Sequence, residues 1–198
     1  MKAKIIGYGV SGKAAECYLE AQGIETVVVR DAREKVGFDY DFCVVSPGVP
    51  LVQIQEETVP VVPEVELPFY CDENIKPRCL IAVTGTNGKT TTTTLTYEIL
   101  KNAFGDRVHL AGNIGFPLCS VLDKLKDDDI LVMEVSCQQL ENMSEFHPNV
   151  ALMTNLSPAH IDFLKSYENY KRVKCKLFAN QDKNDVSILN IENDDVIE

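Results

Sequence analysis

The residue types that could do chemistry cluster at a few places in this chain. Thr84-Gly85-Thr86-Asn87-Gly88-Lys89-Thr90-Thr91 has the make-up of a loop that holds phosphate. Its glycines let the backbone curl until successive N–H groups point inward, and a helix opening at Lys89 would add its positive end. The lysine can reach outer phosphates, and the Thr90 hydroxyl can ligate Mg²⁺. The common spacing G-x-x-x-x-G-K-[ST] wants glycine at position 83, which is Val83 here, so the loop is the compact G-x-x-G-K-T form. Glu134 closes the apolar run Ile130-Leu131-Val132-Met133, a usual place for a carboxylate that holds Mg²⁺ beside a phosphate loop. His160 is one of only three histidines. Tyr170, Lys174 and Phe178 repeat at helical spacing, with Leu177 beside them, so Lys174 projects among apolar neighbours. Burial disfavours ammonium and pulls a lysine down from about 10.4. A neutral amine can take up CO₂ to become a carbamate, an anion able to ligate Mg²⁺. Lys171 and Lys176 fall off that face and are expected to be solvated.

A second glycine cluster opens the chain. Gly7-x-Gly9-x-x-Gly12 follows a strand-like run, and Asp31 closes the next strand 19 residues after Gly12. This is the dinucleotide-binding fingerprint. Taken alone it says NAD and an oxidoreductase domain, although related α/β domains use similar loops for other nucleotides.

These loops need elements to carry them. Lys4-Ile5-Ile6 reads as a strand, and a helix follows with Ala14, Tyr18 and Leu19 on one face, ending near Gly23. Thr26–Val29 and Phe42–Val45 are further β-branched runs, the latter stopped by Ser46-Pro47-Gly48. Strand, helix, strand in series predicts a parallel sheet with crossover helices. From Val59 to Pro77 the chain carries Pro60, Pro63, Pro68 and Pro77, with a short acidic helix at most around 64–70, and reads as a domain boundary. Beyond it Leu80–Val83 is a strand, and a helix from Lys89 to about Ala103 is expected to bury Leu95, Ile99 and Leu100. Ile130–Met133, Val150–Met153 and Val186–Leu189 are further strands. The expected fold is α/β: a Rossmann-like amino-terminal domain over residues 1–75, then a P-loop α/β central domain over 76–198.

The bulk numbers narrow the classes. A chain of 198 residues holds one ordinary domain or two small ones, and 45% apolar with 25% charged residues reads as globular. No apolar run approaches the roughly 20 residues that span a bilayer. The first apolar segment runs straight into glycines, unlike a secretory signal. A net charge of −11 argues against nucleic acid, while small anions can still bind where backbone amides supply a local positive field. Seven scattered cysteines, without Cys-x-x-Cys or zinc-like spacing, fit reduced thiols in a cytoplasm.

The loop at 84–91 resembles the nucleotide loop of the Mur ligase and folylpolyglutamate synthetase superfamily. Further segments fit in order. Gly112-Asn113-Ile114-Gly115 is similar to the family's G-N-I-G, and Glu134-Val135-Ser136-Cys137-Gln138-Gln139-Leu140 to its E-x-S-S-x-Q-L. Asn155 to Asp162 resembles N-x-x-x-D-H-x-D, and Tyr170 to Lys174 resembles Y-x-x-x-K. The resemblance implies an ATP-dependent amide ligase of peptidoglycan precursor synthesis. It places Gly85, Thr86, Asn87, Gly88, Lys89, Thr90 and Thr91 on ATP. One Mg²⁺ would be held by Thr90 and Glu134, a second served by His160 and a carbamylated Lys174. Asn113, Ser136, Gln139 and His160 would orient the substrate arm, Asn113 near the γ-phosphate; Lys89, Asn113, Glu134, His160 and Lys174 form the implied catalytic set.

At the amino terminus, Gly-x-Gly-Val-Ser-Gly, Asp31-Ala32-Arg33 and Ser46-Pro47-Gly48-Val49-Pro50 resemble the UDP-binding domain of the family's D-glutamate-adding branch. Alanine-adding relatives usually carry histidine where this chain has Asn87, and later-acting ligases have a different first domain. The resemblance therefore implies that Val10, Ser11, Asp31, Ala32, Arg33, Ser46 and Gly48 line a uridine nucleotide. It also implies UDP-N-acetylmuramoyl-L-alanine, D-glutamate and ATP as partners of a cytoplasmic monomer, with no nucleic acid and no membrane. Complete members run to more than twice this length, with a third domain that closes over ATP. Asn190-Ile191-Glu192-Asn193-Asp194-Asp195 resembles their mid-protein N-x-D-D. The chain is thus expected to be an incomplete portion with negligible ligation of its own. A nucleotide-binding module without catalysis stands as the alternative, beside the NAD domain.

Overall fold

The computed structural model describes residues 1–34, 36–37, 39–49, 54–72, 77 and 79–197. The chain forms two compact α/β units, residues 1–74 with 117–123 and residues 75–116 with 124–198. The join expected at 75/76, and Pro50 of the segment from Ser46, lie outside the described residues.

Unit 1 contains β1 (Lys2–Ile6), α1 (Val10–Ala21), β2 (Glu25–Val29), β3 (Phe42–Val45), β4 (Val61–Pro63) and α2 (Leu67–Cys71). Its sheet runs β2-β1-β3-β4, all parallel. Parallel strands are covered on both faces and need near-continuous apolar runs, and Ala3, Ile5, Ile6, Cys43 and Val44 are fully buried. Helix α1 turns Ala14, Ala15, Tyr18 and Leu19 inward at helical spacing, as the pattern predicts. At its start a Cβ on Gly12 would stand 2.2 Å from the Gly7 carbonyl oxygen, so only glycine lets the helix begin this close to the loop. Ile6 lies level with both Val29 and Val45. The loops that follow the three strands therefore emerge together at the carboxyl edge.

The proline-rich region is more ordered than its composition implies. The proline-rich stretch read as a boundary holds β4 and α2, both part of unit 1. Pro63 ends an edge strand, where its missing N–H costs no ladder bond. The short helix expected around 64–70 is α2, and Glu64 and Glu66, just before it, are buried. Residues 117–123 also join unit 1, adding buried Leu118 and Cys119, and the Cys119 N–H donates to Glu64 Oε1 at 2.8 Å.

Unit 2 contains β5 (Cys79–Thr84), α3 (Lys89–Phe104), β6 (Val108–Gly112), β7 (Ile130–Glu134), α4 (Cys137–Glu141), β8 (Val150–Met153), α5 (Ile161–Leu164), α6 (Tyr167–Cys175), β9 (Val186–Leu189) and α7 (Asp194–Ile197). The parallel order is β6-β7-β5-β8-β9, with β6 not foreseen. The packing of α3 also differs from expectation. Leu95 and Ile99 are 58% and 60% exposed, and Thr93 is the one fully buried residue of the helix. The helix turns Thr93, Thr96, Tyr97 and Leu100 toward the sheet. Leu95 is two residues from Thr93, about 200° around the helix, and so faces outward. Among the described residues no helix is long and apolar enough to cross a membrane.

Candidate functional site

In unit 2 the strand register brings the chemistry-bearing residues to one level. Val83 pairs with Glu134, Gly112 with Glu134, and Thr84 with Met153. The ends of β5, β6, β7 and β8 therefore surround the glycine loop. Gly85 takes φ +140, and a Cβ there would fall 2.0 Å from Thr154 Oγ1, so the loop leaves β5 along a path that a side chain would block. The loop is braced from β8: Thr86 N–H donates to the Asn155 carbonyl at 2.8 Å and Asn87 N–H to Asn155 Oδ1 at 2.9 Å. Thr154 Oγ1 and Asn155 Nδ2 donate back to the Asn87 carbonyl, at 2.6 and 3.0 Å. The first ladder bond of α3 is Thr92 N–H to Gly88 O, leaving the N–H groups of Lys89, Thr90 and Thr91 without intrahelical acceptors at the positive helix end. Lys89 Nζ rests on the Thr86 carbonyl at 2.9 Å.

Glu134 is 1% exposed at the end of β7. Its carboxylate accepts from Thr90 Oγ1 at 2.7 Å and from Asn113 Nδ2 at 2.6 Å. A buried carboxylate needs such partners, and hydroxyl, amide and carboxylate oxygens are hard donors suited to Mg²⁺. Lys174 is also 1% exposed. Its Nζ donates to Thr84 Oγ1 at 2.8 Å, and that hydroxyl in turn donates to the Val135 carbonyl at 2.7 Å. Burial pulls the ammonium from its ordinary 10.5 down to about 8; Lys89 adds to the fall, while Cys137 and Glu134 oppose it.

His160 caps α5 in the left-handed region, at φ 52, a conformation uncommon outside glycine. Its ring stacks on Tyr170 at 6.2 Å, and the Tyr170 hydroxyl meets Thr86 Oγ1 at 2.8 Å. Thr90, Glu134 and Asn113 thus meet directly, while His160 reaches the loop only by way of Tyr170. Ser136 and Gln139, expected on substrate, cap α4 reciprocally: Gln139 N–H donates to Ser136 Oγ at 3.3 Å and Ser136 N–H to Gln139 Oε1 at 2.9 Å. Lys171 and Lys176 are not free in solvent. Lys171 pairs with Glu168 and Asp195, and Lys176 donates to the Glu141 and Met143 carbonyls. Sequence reading gave no role to Thr84, Thr154 or Asn155, whose contacts cross from one strand end to the next. Thr84 and Asn155 carry a signal only as members of the quoted motifs, and Thr154 carries none.

In unit 1 Val10 begins α1 and is 75% exposed. Ser46 Oγ donates to the Gly7 carbonyl at 3.0 Å, tying the loop after β3 to the first glycine turn, with Gly48 two residues on. Arg33 folds onto Asp31: its N–H donates to Oδ1 at 3.0 Å, and its guanidinium bonds both carboxylate oxygens. Hydrogen bonding from Arg33 holds the Asp31 carboxyl down at about 2. The exposed face of this loop and the glycine turn share the carboxyl edge next to β1, where the chain order reverses and open α/β sheets bind ligands.

The chain resembles known proteins along its length. Residues 83–198 match the Mur ligase middle domain family. The chain is 39% identical over 186 residues to UDP-N-acetylmuramoylalanine–D-glutamate ligase of Streptococcus mutans serotype c, covering 91% of this chain and 40% of that one. It is 35% identical to the protein of the same description from Alkaliphilus metalliredigens, covering 96% and 48%. The chain therefore spans less than half the length of these relatives. Among solved structures it is similar to UDP-N-acetylmuramate:L-alanyl-γ-D-glutamyl-meso-diaminopimelate ligase from Neisseria meningitides, with a TM-score of 0.55 and 17% identity over 99% of this chain and 73% of that one. A MurF ligase from Thermotoga maritima in complex with ADP gives 0.52 and 20%, over 93% and 42%.

Proposed function

Because the chain belongs to the Mur ligase family, we propose that it carries the nucleotide-handling part of a ligase that uses ATP to join D-glutamate to UDP-N-acetylmuramoyl-L-alanine. Unit 1 is the Rossmann-like domain that holds the uridine nucleotide, through Val10, Ser11, Asp31–Arg33, Ser46 and Gly48. Unit 2 is the P-loop domain that holds ATP, through residues 85–91. The observation that carries the reading is the junction of Thr90, Glu134 and Asn113, three strand and helix ends converging on one buried carboxylate beside a glycine loop.

In the whole ligase, a carboxylate oxygen of the muramoyl-alanine attacks the γ-phosphorus of ATP. The bond to the bridging oxygen breaks, ADP leaves, and an acyl phosphate remains. The D-glutamate amine then attacks the acyl carbon. As the tetrahedral intermediate collapses, nitrogen gives up a proton, taken up by the departing phosphate, which leaves with the bonding electrons as the amide forms. Phosphoryl transfer asks mainly for positioning and charge neutralisation. The loop N–H groups and Lys89 hold the phosphates, and Asn113 turns the acceptor carboxylate toward them. Ser136, Gln139 and His160 orient the rest of the arm. Thr90 and Glu134 fit one Mg²⁺, and His160 with Lys174 a second; bound there, the ions would offset charge on the transferred group. The Lys174 amine, part-neutral near pH 8, adds CO₂ and releases a proton to give a carbamate anion.

Calorimetry of Lys89→Ala with magnesium-ATP tests the loop. At least a hundredfold weaker binding is expected, and unchanged affinity would overturn the assignment.

A further inference from the structure

Lys4 stands in the middle of β1, in a sheet of apolar strands, and is 3% exposed. A buried ammonium is costly unless it is paired and hydrogen-bonded, and this one has an ion-pair partner and a carbonyl acceptor. Its Nζ donates to Glu57 Oε1 at 2.9 Å and to the Ala32 carbonyl at 2.5 Å. Glu57, whose side chain is 7% exposed, accepts from the Tyr40 hydroxyl at 2.8 Å and from the Cys43 thiol. The Lys4 ammonium also lies 5.4 Å from the centre of the Tyr40 ring. Burial pushes the Glu57 carboxyl up, and the bonds from Lys4, Tyr40 and Cys43 outweigh it, leaving the group ionised.

What the ammonium grips decides the meaning. The Ala32 carbonyl and the Arg33 N–H belong to one rigid peptide plane. One end of that plane accepts from Lys4; the other donates to Asp31 Oδ1 at 3.0 Å. The orientation of the plane therefore fixes the Asp31 carboxylate and the base of the Arg33 side chain together. Beneath the loop, Ala32 packs with Ile6, Val29, Cys43, Val45 and Ile54. That apolar contact sets the depth of the loop but not the rotation of the peptide. Glu34 braces the start of the loop, accepting from the Arg30 and Asp31 N–H groups. Charge-assisted hydrogen bonds are short and directional, and the one from Lys4 bears on the Ala32–Arg33 peptide itself.

We propose that Lys4, held in place by Glu57, is the positioning residue of the Asp31–Arg33 loop and sets the affinity of unit 1 for a uridine nucleotide. This rests on the reading of that loop as the uridine site. Lys4 touches no ligand; it acts through the Ala32–Arg33 peptide.

The test uses the chain with Lys4→Met and with the double change Lys4→Met, Glu57→Gln. The double variant leaves no unpaired buried charge, so it remains informative if the single variant fails to fold. UMP affinity is measured by calorimetry well below the melting point, and amide exchange of Arg33 by NMR. Both variants should bind UMP at least tenfold more weakly and exchange the Arg33 amide faster, while strand amides of β1–β3 and magnesium-ATP affinity stay unchanged. UMP affinity within twofold of the parent, with unaltered Arg33 exchange, would overturn the proposal. Asp31→Asn separates the two levels. If it also leaves UMP binding alone, the uridine reading fails. If it weakens UMP while the Lys4 variants do not, only the positioning role fails.

Discussion

Glu64 makes the stability of unit 1 depend on pH in a way that one substitution removes. Its carboxyl is 1% exposed, with Oε1 accepting from Cys119 N–H at 2.8 Å and Oε2 without a hydrogen-bond partner. Burial raises it from an ordinary 4.5 to about 7, against the pull of hydrogen bonds from Cys119 and Leu118. Burial likewise raises the nearby Tyr18, Cys71 and Cys119, so these stay neutral in the same range. Glu64 is then the group of this cluster that titrates near neutrality. A carboxyl that protonates more readily in the folded chain takes up a proton on folding. Its contribution is full below pH 4.5 and is lost as pH rises through about 7. At about 1.4 kcal/mol per pH unit, that window corresponds to about 3 kcal/mol. Glu64→Gln keeps an oxygen for the Cys119 N–H and cannot ionise. Relative to the parent it should become more stable with rising pH, by up to about 3 kcal/mol at pH 8. Hydrogen exchange of the α1 amides, parent against variant at each pH from 5 to 8, reads this out for unit 1 alone. Parallel pH profiles for the two proteins would refute the assignment of the proton to Glu64.

Two further outcomes follow from unit 2. Gly85→Ala forces a Cβ to 2.0 Å from Thr154 Oγ1 at φ +140; backbone strain and the displaced Thr154 bonds together should cost about 2–4 kcal/mol, read as a lower melting temperature with weakened magnesium-ATP binding, and a melt unchanged from the parent would count against the loop geometry. Lys174 should give a carbamate carbon signal by NMR when the chain is equilibrated with ¹³C-bicarbonate at pH 8, and Lys174→Ala should lack it; a spectrum without a protein-bound carbamate in the parent would remove that role.

How much of this was legible in the sequence depends on how local the cause is. The glycine loop could be read because strand, turn, lysine and helix follow one another, and the Thr90–Glu134 contact because each sits at the end of a recognisable element. Lys174 was legible from its spacing on α6, where helical period alone places it beside Tyr170 and Leu177. In helix α3 apolar character does not mark the inward face, since Leu95 and Ile99 lie outward and Thr93 inward. A helix that must begin at Lys89 has its rotation set by the loop, and that rotation sends Thr93 rather than Leu95 to the sheet. Strand β4 is hidden by Pro60 and Pro63 because proline ordinarily argues against a strand, whereas the edge of a parallel sheet tolerates it.

The buried polar groups of unit 1 mark the deeper limit. Lys4 in a strand pattern reads as an exposed position, yet it is buried and paired with Glu57. Its partner, Glu57, lies 53 residues on, in a segment with no strand or helix pattern. Glu64 finds Cys119 across 55 residues, through a stretch that returns from the middle of unit 2's sequence. A charge inside a core is stabilised only by what the fold brings to it. The sequence shows one half of each pair, and the half it shows looks like surface. The groups that set loop position and pH response are for that reason the ones that a residue-by-residue reading passes over. Substitutions at Lys4 and Glu64 therefore probe the fold's own contribution to loop position and to stability, separately from the loop side chains themselves.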